Sequence, residues 1–270
     1  MSSGERAGVP IETPSVLAEL ELSEISEALT PGGVRLLSAG FPAGRHDEVW
    51  RTLLRAHPGN GWYPVLGPDA DHAVRRAGNY WPELQGPAVL PRALAVDPGE
   101  RMDLLRRSHL EWLEMEAGLD DTDEYDPEVV ARRLDEVAGP APERRAVTGP
   151  YPPDSVLLVP AAAGYEVPIL VPGLIQPPNW FGAQWHPDLS PEDHSAVLRH
   201  WHRRYGAELY YTGGNELELA VFRPPATRLE VARCAIEQMI YCDDLTQKVG
   251  DVEGVARKQA GGHHWSFWWD

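Results

Sequence analysis

Apolar and polar positions alternate over residues 264–270, which gives a clear strand pattern. One face of this pattern is aromatic and consists of Trp265, Phe267 and Trp269. The other face consists of His264, Ser266, Trp268 and Asp270. Period-two alternation is typical of a strand with one buried face, and aromatic side chains of this size stay ordered only when something buries them. We therefore predict a strand whose aromatic face packs on a core, and we expect the N-terminal part of the chain to cover Trp268.

Apolar residues at helical spacing predict a series of helices along the chain. Their predicted bounds are 15–29, 46–57, 69–76, 99–118, 127–137, 191–205, 228–241 and 252–258. The best-marked start is Ser190-Pro191-Glu192-Asp193, which combines an N-cap serine, a proline at the first helical position and acidic residues in the first turn. Gly206 should end this helix, and Thr227 should cap the next one.

Shorter apolar runs between turn residues predict strands. Their predicted bounds are 34–37, 62–66, 155–159, 166–171, 207–211 and 216–222, ahead of the terminal strand. The turn Thr212-Gly213-Gly214-Asn215 separates two of these strands and is typical of a hairpin. Residues 79–98 contain several prolines and should form a loop.

A proline-rich stretch at residues 139–154 predicts a semi-rigid linker between two domains. We expect a loose arm at residues 1–14, a smaller α/β domain at residues 15–138 and a C-terminal domain at residues 155–270. The predicted order in the C-terminal domain is strand, helix, strand, strand, helix, strand. This order is that of the split βαβ, or ferredoxin-like, arrangement, so the expected fold class is α+β.

The composition is that of a folded, acidic protein. Hydrophobic residues make up 43% of the 270 residues, and the formal net charge is −17. Such a charge opposes binding to nucleic acid and suits a basic partner. The first residues lack the basic start and apolar run of a signal peptide, and no window approaches the ~20 apolar residues of a membrane span. We therefore expect a cytoplasmic protein that binds neither nucleic acid nor membrane.

The residues that could carry chemistry form no compact motif. Cys234 and Cys242 lie eight positions apart, which is ~12 Å along one helix and too far for a disulfide. Two aspartates follow Cys242 and should raise the pKa of its thiol, which disfavours a nucleophile. The acidic run at residues 120–126 lacks the glycine and the terminal glutamate of an EF-hand calcium loop. The sequence therefore gives no catalytic residue, no metal site and no cofactor.

Four stretches of the C-terminal half resemble one known family. They are residues 196–209 (AVLRHWHRRYGAEL), 223–227 (RPPAT), 241–244 (YCDD) and 265–270 (WSFWWD). The family is the bacterial domain-of-unknown-function family 4253, and the resemblance covers about residues 155–270. It supports the domain boundary and the fold, and it implies no activity and no catalytic residues.

The expected strand directions gather three segments at one rim of the C-terminal domain: residues 160–190, 212–215 and 242–264. Long loops inside compact domains are often functional, so this rim is the predicted location of a site. The candidate binding residues there, together with the outward-facing tryptophan, are His186, Asp188, Asn215, Cys242, Asp243, Asp244, His264 and Trp268.

The acidic balance and the surplus of aromatic residues favour a non-catalytic binding protein. We expect a basic protein partner ahead of a small molecule, as in an immunity protein that neutralises a basic toxin. The alternative is an enzyme, with or without metal assistance, whose site lies on the same loop rim.

Overall fold

The computed structural model of the chain describes residues 15–20, 22–79, 85–116, 123–134, 153–175 and 189–270. The fold is mixed α+β, as the sequence predicts. The predicted arm at residues 1–14 and most of the predicted linker at residues 139–154 lie outside the described residues.

Seven strands form one mixed sheet. They are β1 (Ser23–Leu29), β2 (Arg35–Gly40), β3 (Tyr63–Leu66), β4 (Ser155–Val159), β5 (Ala207–Thr212), β6 (Glu216–Val221) and β7 (His264–Trp268). The strand order is β1-β2-β4-β3-β5-β6-β7. Neighbouring strands run antiparallel except β3 and β5, which run parallel with Leu66 opposite Tyr211.

Helices cover both faces of the sheet. They are α1 (Val16–Glu19), α2 (His46–Asn60), α3 (Ala70–Asn79), α4 (Leu90–Ala95), α5 (Pro98–Glu116), α6 (Pro127–Arg133), α7 (Val167–Leu170), α8 (Pro191–Tyr205), α9 (Arg228–Tyr241), α10 (Leu245–Val249) and α11 (Val252–Val255). A π-helical turn, Ala256–Ala260, follows α11. The apolar residues of α1 and α2 pack on one face of the sheet, whereas those of α3, α5, α8 and α9 pack on the other. The result is a three-layer arrangement with the sheet in the middle.

The local signals for helix ends are confirmed. Ser190 and Asp193 form a reciprocal capping box at the start of α8, and Gly206 ends the helix with φ of 60°. Thr227 and Glu230 form the same motif at the start of α9. These contacts satisfy backbone N–H groups that have no partner within the helix, which explains why the sequence fixes both starts.

Three predicted elements are wrong. The helix predicted over residues 15–29 is only the short α1 followed by strand β1, because β1 pairs as an edge strand with β2. The strand predicted over residues 166–171 is α7, since Pro168 has no N–H for a sheet and suits a first helical turn. The loop predicted over residues 79–98 contains α4, which also has its proline in the first turn.

The ferredoxin-like strand order predicted for residues 155–270, here called the C-terminal segment, is not confirmed. A split βαβ unit would place β6 of the same segment between β4 and β5. Instead, β3 of the N-terminal segment lies between them, and β5, β6 and β7 continue the sheet to its edge. All four residues of β3 are buried, and a strand buried on both faces is stable only inside a sheet. The segments on the two sides of the predicted linker therefore share one sheet.

The aromatic face of β7 is buried, as its alternation predicts. Trp265, Phe267 and Trp269 are 0%, 1% and 1% exposed. The indole of Trp201 on α8 stacks on Phe267, with ring centroids 5.4 Å apart and planes 10° apart. Tyr241 at the end of α9 meets Phe267 edge-on at 5.4 Å. Such pairs add to the free energy gained by burying the rings, so this aromatic cluster fastens β7 to both helices.

Trp268 points to the opposite side of β7 and is half-buried. The Nζ atom of Lys248 lies 5.0 Å from the centroid of its ring. Lys248 belongs to α10, so this contact comes from the C-terminal segment, whereas the sequence led us to expect contacts from the N-terminal part of the chain. The contact is a cation–π interaction near the protein surface.

The two faces of β7 give a direct test of this packing. We expect Trp265→Ala to lower the free energy of unfolding by about 3–5 kcal/mol, because it leaves a large cavity. Trp268→Ala should cost about 1 kcal/mol, since it removes a partly solvated contact. Urea denaturation of the two variants measures both values. Equal losses would contradict the proposed orientation of the strand.

Candidate functional site

A cleft of about 410 Å³ opens where the carboxyl ends of β3 and β5 meet. Ligands of α/β proteins commonly bind outside the carboxyl ends of parallel strands. We call this space the β3–β5 cleft. Its lining consists of Gly67, Pro68, Asp69, His72, Arg76, Pro153, Asp154, Ser155, Leu174, Tyr211, Thr212, Gly213 and Gly214. The cleft is therefore built from both sides of the predicted linker.

Two glycines allow the walls of the cleft to come close together. Gly67 follows β3 with φ of 119°, and a Cβ atom there would collide with the carbonyl oxygen of Thr212. Gly214 in the β5–β6 turn has φ of 91°, and a Cβ atom there would lie 2.5 Å from Nη2 of Arg76. Both positions have a positive φ that favours glycine, and at Gly67 the neighbouring backbone leaves no room for a Cβ atom.

Arg76 is held in a fixed orientation by groups around the cleft. Its Nε–H donates to Nε2 of His72 at 2.7 Å, one helical turn earlier on α3. Its Nη1 donates to the carbonyl oxygen of Gly173 at 3.2 Å. An arginine whose guanidinium is oriented in advance loses little side-chain entropy when it binds a further acceptor.

The hydrogen bond from Arg76 requires a neutral His72 whose Nε2 carries a lone pair. The surroundings favour this form. Burial lowers the pKa of His72 below its ordinary value of 6.5, and the positive charges of Arg76 and Arg75 lower it further, against a smaller opposing effect of Asp69. The imidazole is therefore neutral at pH 7 and acts as an acceptor for Arg76.

Carboxylates and one phenol complete the polar lining. Asp69 caps α3, since its Oδ1 accepts the backbone N–H of His72 at 2.6 Å. Asp154 is exposed at the mouth, directly before β4. Burial raises the pKa of Tyr211 to about 12, with the nearby Glu216 contributing, so its hydroxyl stays protonated, and it donates to Oε2 of Glu216 at 3.4 Å. The cleft thus carries groups of both charges beside hydrogen-bond donors and acceptors.

Most of the candidate residues named from the sequence lie elsewhere, around the end of β7. Asn215 Nδ2 donates to the carbonyl oxygen of Trp269 at 2.8 Å, and the N–H of Trp269 donates back to the Asn215 carbonyl. The thiol of Cys242 donates to the carbonyl oxygen of Trp268 at 3.1 Å. Asp244 Oδ2 accepts the backbone N–H of Asp270 at 2.9 Å. These contacts fasten the last strand to the β5–β6 turn and to the end of α9.

The acid–base properties of this group follow from burial. Burial raises the pKa of the Cys242 thiol, and Asp244 and Asp243 raise it further. The sequence predicts this direction from the aspartates, although burial is the larger cause. Burial also raises the pKa of Asp243 to about 6, with Asp244 and Glu124 contributing. Cys242 is therefore a packed thiol that holds the backbone of β7.

His264 is separate from that group. It begins β7, whereas Trp268 ends it, so about 13 Å of strand lies between them. Its Nε2 lies 3.1 Å from Oε2 of the buried Glu218 on β6. The predicted rim therefore does not bring His264 to Cys242 and Asp244. His186 and Asp188 lie outside the described residues.

Most residues of the β3–β5 cleft were missed because the sequence does not show which strands pair; only Leu174 and residues 212–214 belong to predicted rim segments. A local signal does exist. The strand predicted at residues 62–66 is followed by Gly67-Pro68-Asp69 and then a helical turn. A strand, a tight turn and a capped helix are typical of a ligand-binding edge in α/β proteins. What the sequence lacks is the information that β5 lies next to β3.

Fold and site together define an α+β protein with a polar cleft at the carboxyl ends of two parallel strands. Residues 155–270 match the model of a family described as Domain of unknown function (DUF4253). The resemblance noted from the sequence is thus confirmed over those residues. No curated protein and no solved structure matches the chain.

Two further observations concern only the described ranges. Within them, no group of three or more His, Cys, Asp or Glu side chains is arranged to hold a metal ion. Over the same ranges, none of the helices combines the length and the apolar character needed to cross a bilayer.

Gly214→Ala should disturb Arg76, and Gly44→Ala provides the matched control. Both glycines have positive φ, but a Cβ at Gly44 meets nothing within 4 Å. Each variant should lose about 1–2 kcal/mol of unfolding free energy from its strained backbone. Only Gly214→Ala should also shift the ¹⁵N resonance of His72 Nε2, because Arg76 must move away. An unchanged His72 spectrum in Gly214→Ala would contradict the contact.

Acidification should weaken the structure around His72. Because the folded pKa lies below 6.5, the unfolded chain takes up a proton first as the pH falls through 6.5, and stability decreases. His72→Gln cannot titrate. The difference in unfolding free energy between wild type and His72→Gln should therefore decrease from about pH 7.5 to about pH 5 in urea titrations. A difference that stays constant over this range would exclude the lowered pKa.

Proposed function

We propose that the protein binds a small polar ligand in the β3–β5 cleft. The observation that carries this proposal is a cleft of about 410 Å³ with an oriented arginine, formed at the carboxyl ends of two parallel strands. Clefts of ~300–1,000 Å³ with a few placed polar groups are the usual form of a small-molecule site. Binding orders little of the protein, because the hydrogen bonds of Arg76 already exist without ligand.

The described surface supports a small ligand ahead of a protein partner. Its large exposed apolar side chains are Ile25 and Leu29 on β1, Met115 on α5 and Phe222 after β6. These positions lie on two elements and at one position just after a third, whereas a stable protein interface needs a contiguous apolar centre. We therefore place a small ligand ahead of a protein partner, which is the opposite of the order expected from the sequence.

Two other functions are each supported by one observation: binding of a basic protein and catalysis at the loop rim. The net charge of −17 suits a basic protein partner, which would bind through long-range attraction. An enzyme at the loop rim is supported by the presence of Leu174 and residues 212–214 in the cleft, since these belong to two of the predicted rim segments. In this second case the bound ligand would be turned over.

Saturation-transfer NMR tests the proposal with a defined mixture of amino acids, dipeptides, amines, carboxylates, sugars and nucleosides. Wild-type protein should give signals from at least one component. Arg76→Gln should remove those signals, whereas Arg75→Gln should retain them. Arg75 is the exposed neighbour on α3 and is not part of the cleft lining.

The outcomes separate the candidates. Signals that are lost equally in both arginine variants would place the ligand outside the cleft and contradict the proposal. No signal from any component would also contradict it. Chemical conversion of a bound component over time would establish the enzyme alternative, because a binding protein releases its ligand unchanged.

A further inference from the structure

The amino ends of β3 and β5 carry a chain of polar contacts that joins three elements. Tyr63 begins β3, Glu208 lies near the start of β5, and His202 lies in the last turn of α8. The Tyr63 hydroxyl donates to Oε2 of Glu208 at 2.9 Å, and it also lies 3.1 Å from the carbonyl oxygen of Leu209. Nδ1 of His202 lies 3.0 Å from Oε1, the other oxygen of the same carboxylate. One carboxylate of β5 therefore contacts both a tyrosine of β3 and a histidine of α8.

The position of His202 favours its protonated form. Contact with the Glu208 carboxylate raises the pKa of His202 above its ordinary value of 6.5, and the Ala207 backbone adds to this effect, whereas burial and the charge of Arg223 oppose it. His202 also lies in the last turn of a 15-residue helix, where the macrodipole favours a positive charge. Its side chain is 35% exposed, so solvent can supply the proton.

The groups that face this chain of contacts from other elements are Arg223, Tyr165 and His57. Arg223, which follows β6, donates through Nη2 to the carbonyl oxygen of His202 at 3.3 Å. The ring of Tyr165 meets the ring of His202 edge-on, with centroids 5.4 Å apart. The ring of His57, near the end of α2, meets the ring of Tyr63 edge-on at 5.3 Å. Because an imidazole can change its charge near neutral pH, the effect of His57 on Tyr63 has to be separated from that of His202.

The protonation state of His202 changes what holds the carboxylate. In the protonated form, the imidazolium lies 3.0 Å from Glu208 and forms a charge-assisted contact, which is stronger than a neutral one. In the neutral form this attraction is lost, and the carboxylate, whose side chain is 17% exposed, is free to turn toward solvent. Tyr63 remains a donor in both forms, because burial and the charge of Glu208 raise its pKa well above its ordinary value of 10.

We infer that Tyr63, Glu208 and His202 form a pH-sensitive clasp, in which protonated His202 fixes the carboxylate that accepts the hydroxyl of Tyr63. The clasp joins β3 to β5 and α8 at the strand ends opposite the β3–β5 cleft, and it closes as the pH falls. It acts without any ligand, so its absence would leave the proposed function intact.

NMR titration of the His202 imidazole tests the charge of the clasp. Wild type should titrate with a midpoint above pH 6.5, because the carboxylate favours the imidazolium. Glu208→Gln should lower this midpoint by about one pH unit or more, since an amide carries no charge. Glu237→Gln is the matched control, because Glu237 pairs with His200 on the same helix and should leave His202 unchanged. A wild-type midpoint below 6.5, or equal shifts in the two variants, would overturn the clasp.

The ¹³Cζ resonance of Tyr63 tests whether the effect reaches β3. It should follow pH with the midpoint of His202, both in wild type and in His57→Gln, since the effect passes through Glu208. It should lose this response in His202→Gln and in Glu208→Gln. A resonance that does not titrate in wild type, or whose response disappears in His57→Gln, would contradict the clasp.

Urea denaturation measures the effect of the clasp on stability. Because the folded pKa of His202 is raised, its protonation stabilises the fold below pH 6.5, and this contribution is lost as the pH rises through the folded pKa. The urea midpoint of wild type should therefore exceed that of His202→Gln by more at about pH 5.5 than at about pH 9. Titration of His72 is common to both proteins and cancels in the difference. A difference that is equal at both pH values would rule out a pH-sensitive clasp.

Discussion

The position of β3 between β4 and β5 is the constraint on which the rest of the structure depends. All four residues of β3 are buried, so the strand needs neighbours at both edges and helices on both faces. It obtains β4 and β5 as neighbours from the C-terminal segment, while α2 and α3 come from its own segment. Because the strands of the two segments alternate at this point, both segments belong to one sheet. This alternation also places two carboxyl strand ends side by side, which is the geometry that opens the β3–β5 cleft.

The residues that hold β7 in place and the residues that line the β3–β5 cleft have different roles around this sheet. The aromatic cluster of Trp201, Tyr241 and the inward face of β7 closes the far edge. Asn215, Cys242 and Asp244 hold the end of β7 by hydrogen bonds to backbone groups. These residues look chemically versatile in the sequence, but backbone groups occupy their polar atoms. The β3–β5 cleft, on the opposite side of β5, carries charged groups of both signs, and on that ground we propose it as the ligand site.

The features that the sequence predicts correctly depend on contacts within a few residues. The capping boxes of α8 and α9 join positions three apart. The burial of Trp265, Phe267 and Trp269 follows from period two alone, whatever the strand packs against. The mispredicted elements show the limit of such patterns. The residues of β1 have an imperfect helical period, and it is pairing with β2 that holds them extended.

The sequence by itself determined an acidic α+β protein, the ends of its best helices, the aromatic face of its last strand and the family resemblance of residues 155–270. Only the tertiary structure decided the strand order. It also decided which groups contact Arg76 and that Lys248 packs on the ring of Trp268. The physical reason is the range of the interactions. Caps and alternation are satisfied locally, whereas the edge that a buried strand occupies is chosen by hydrogen bonding and packing across the whole sheet.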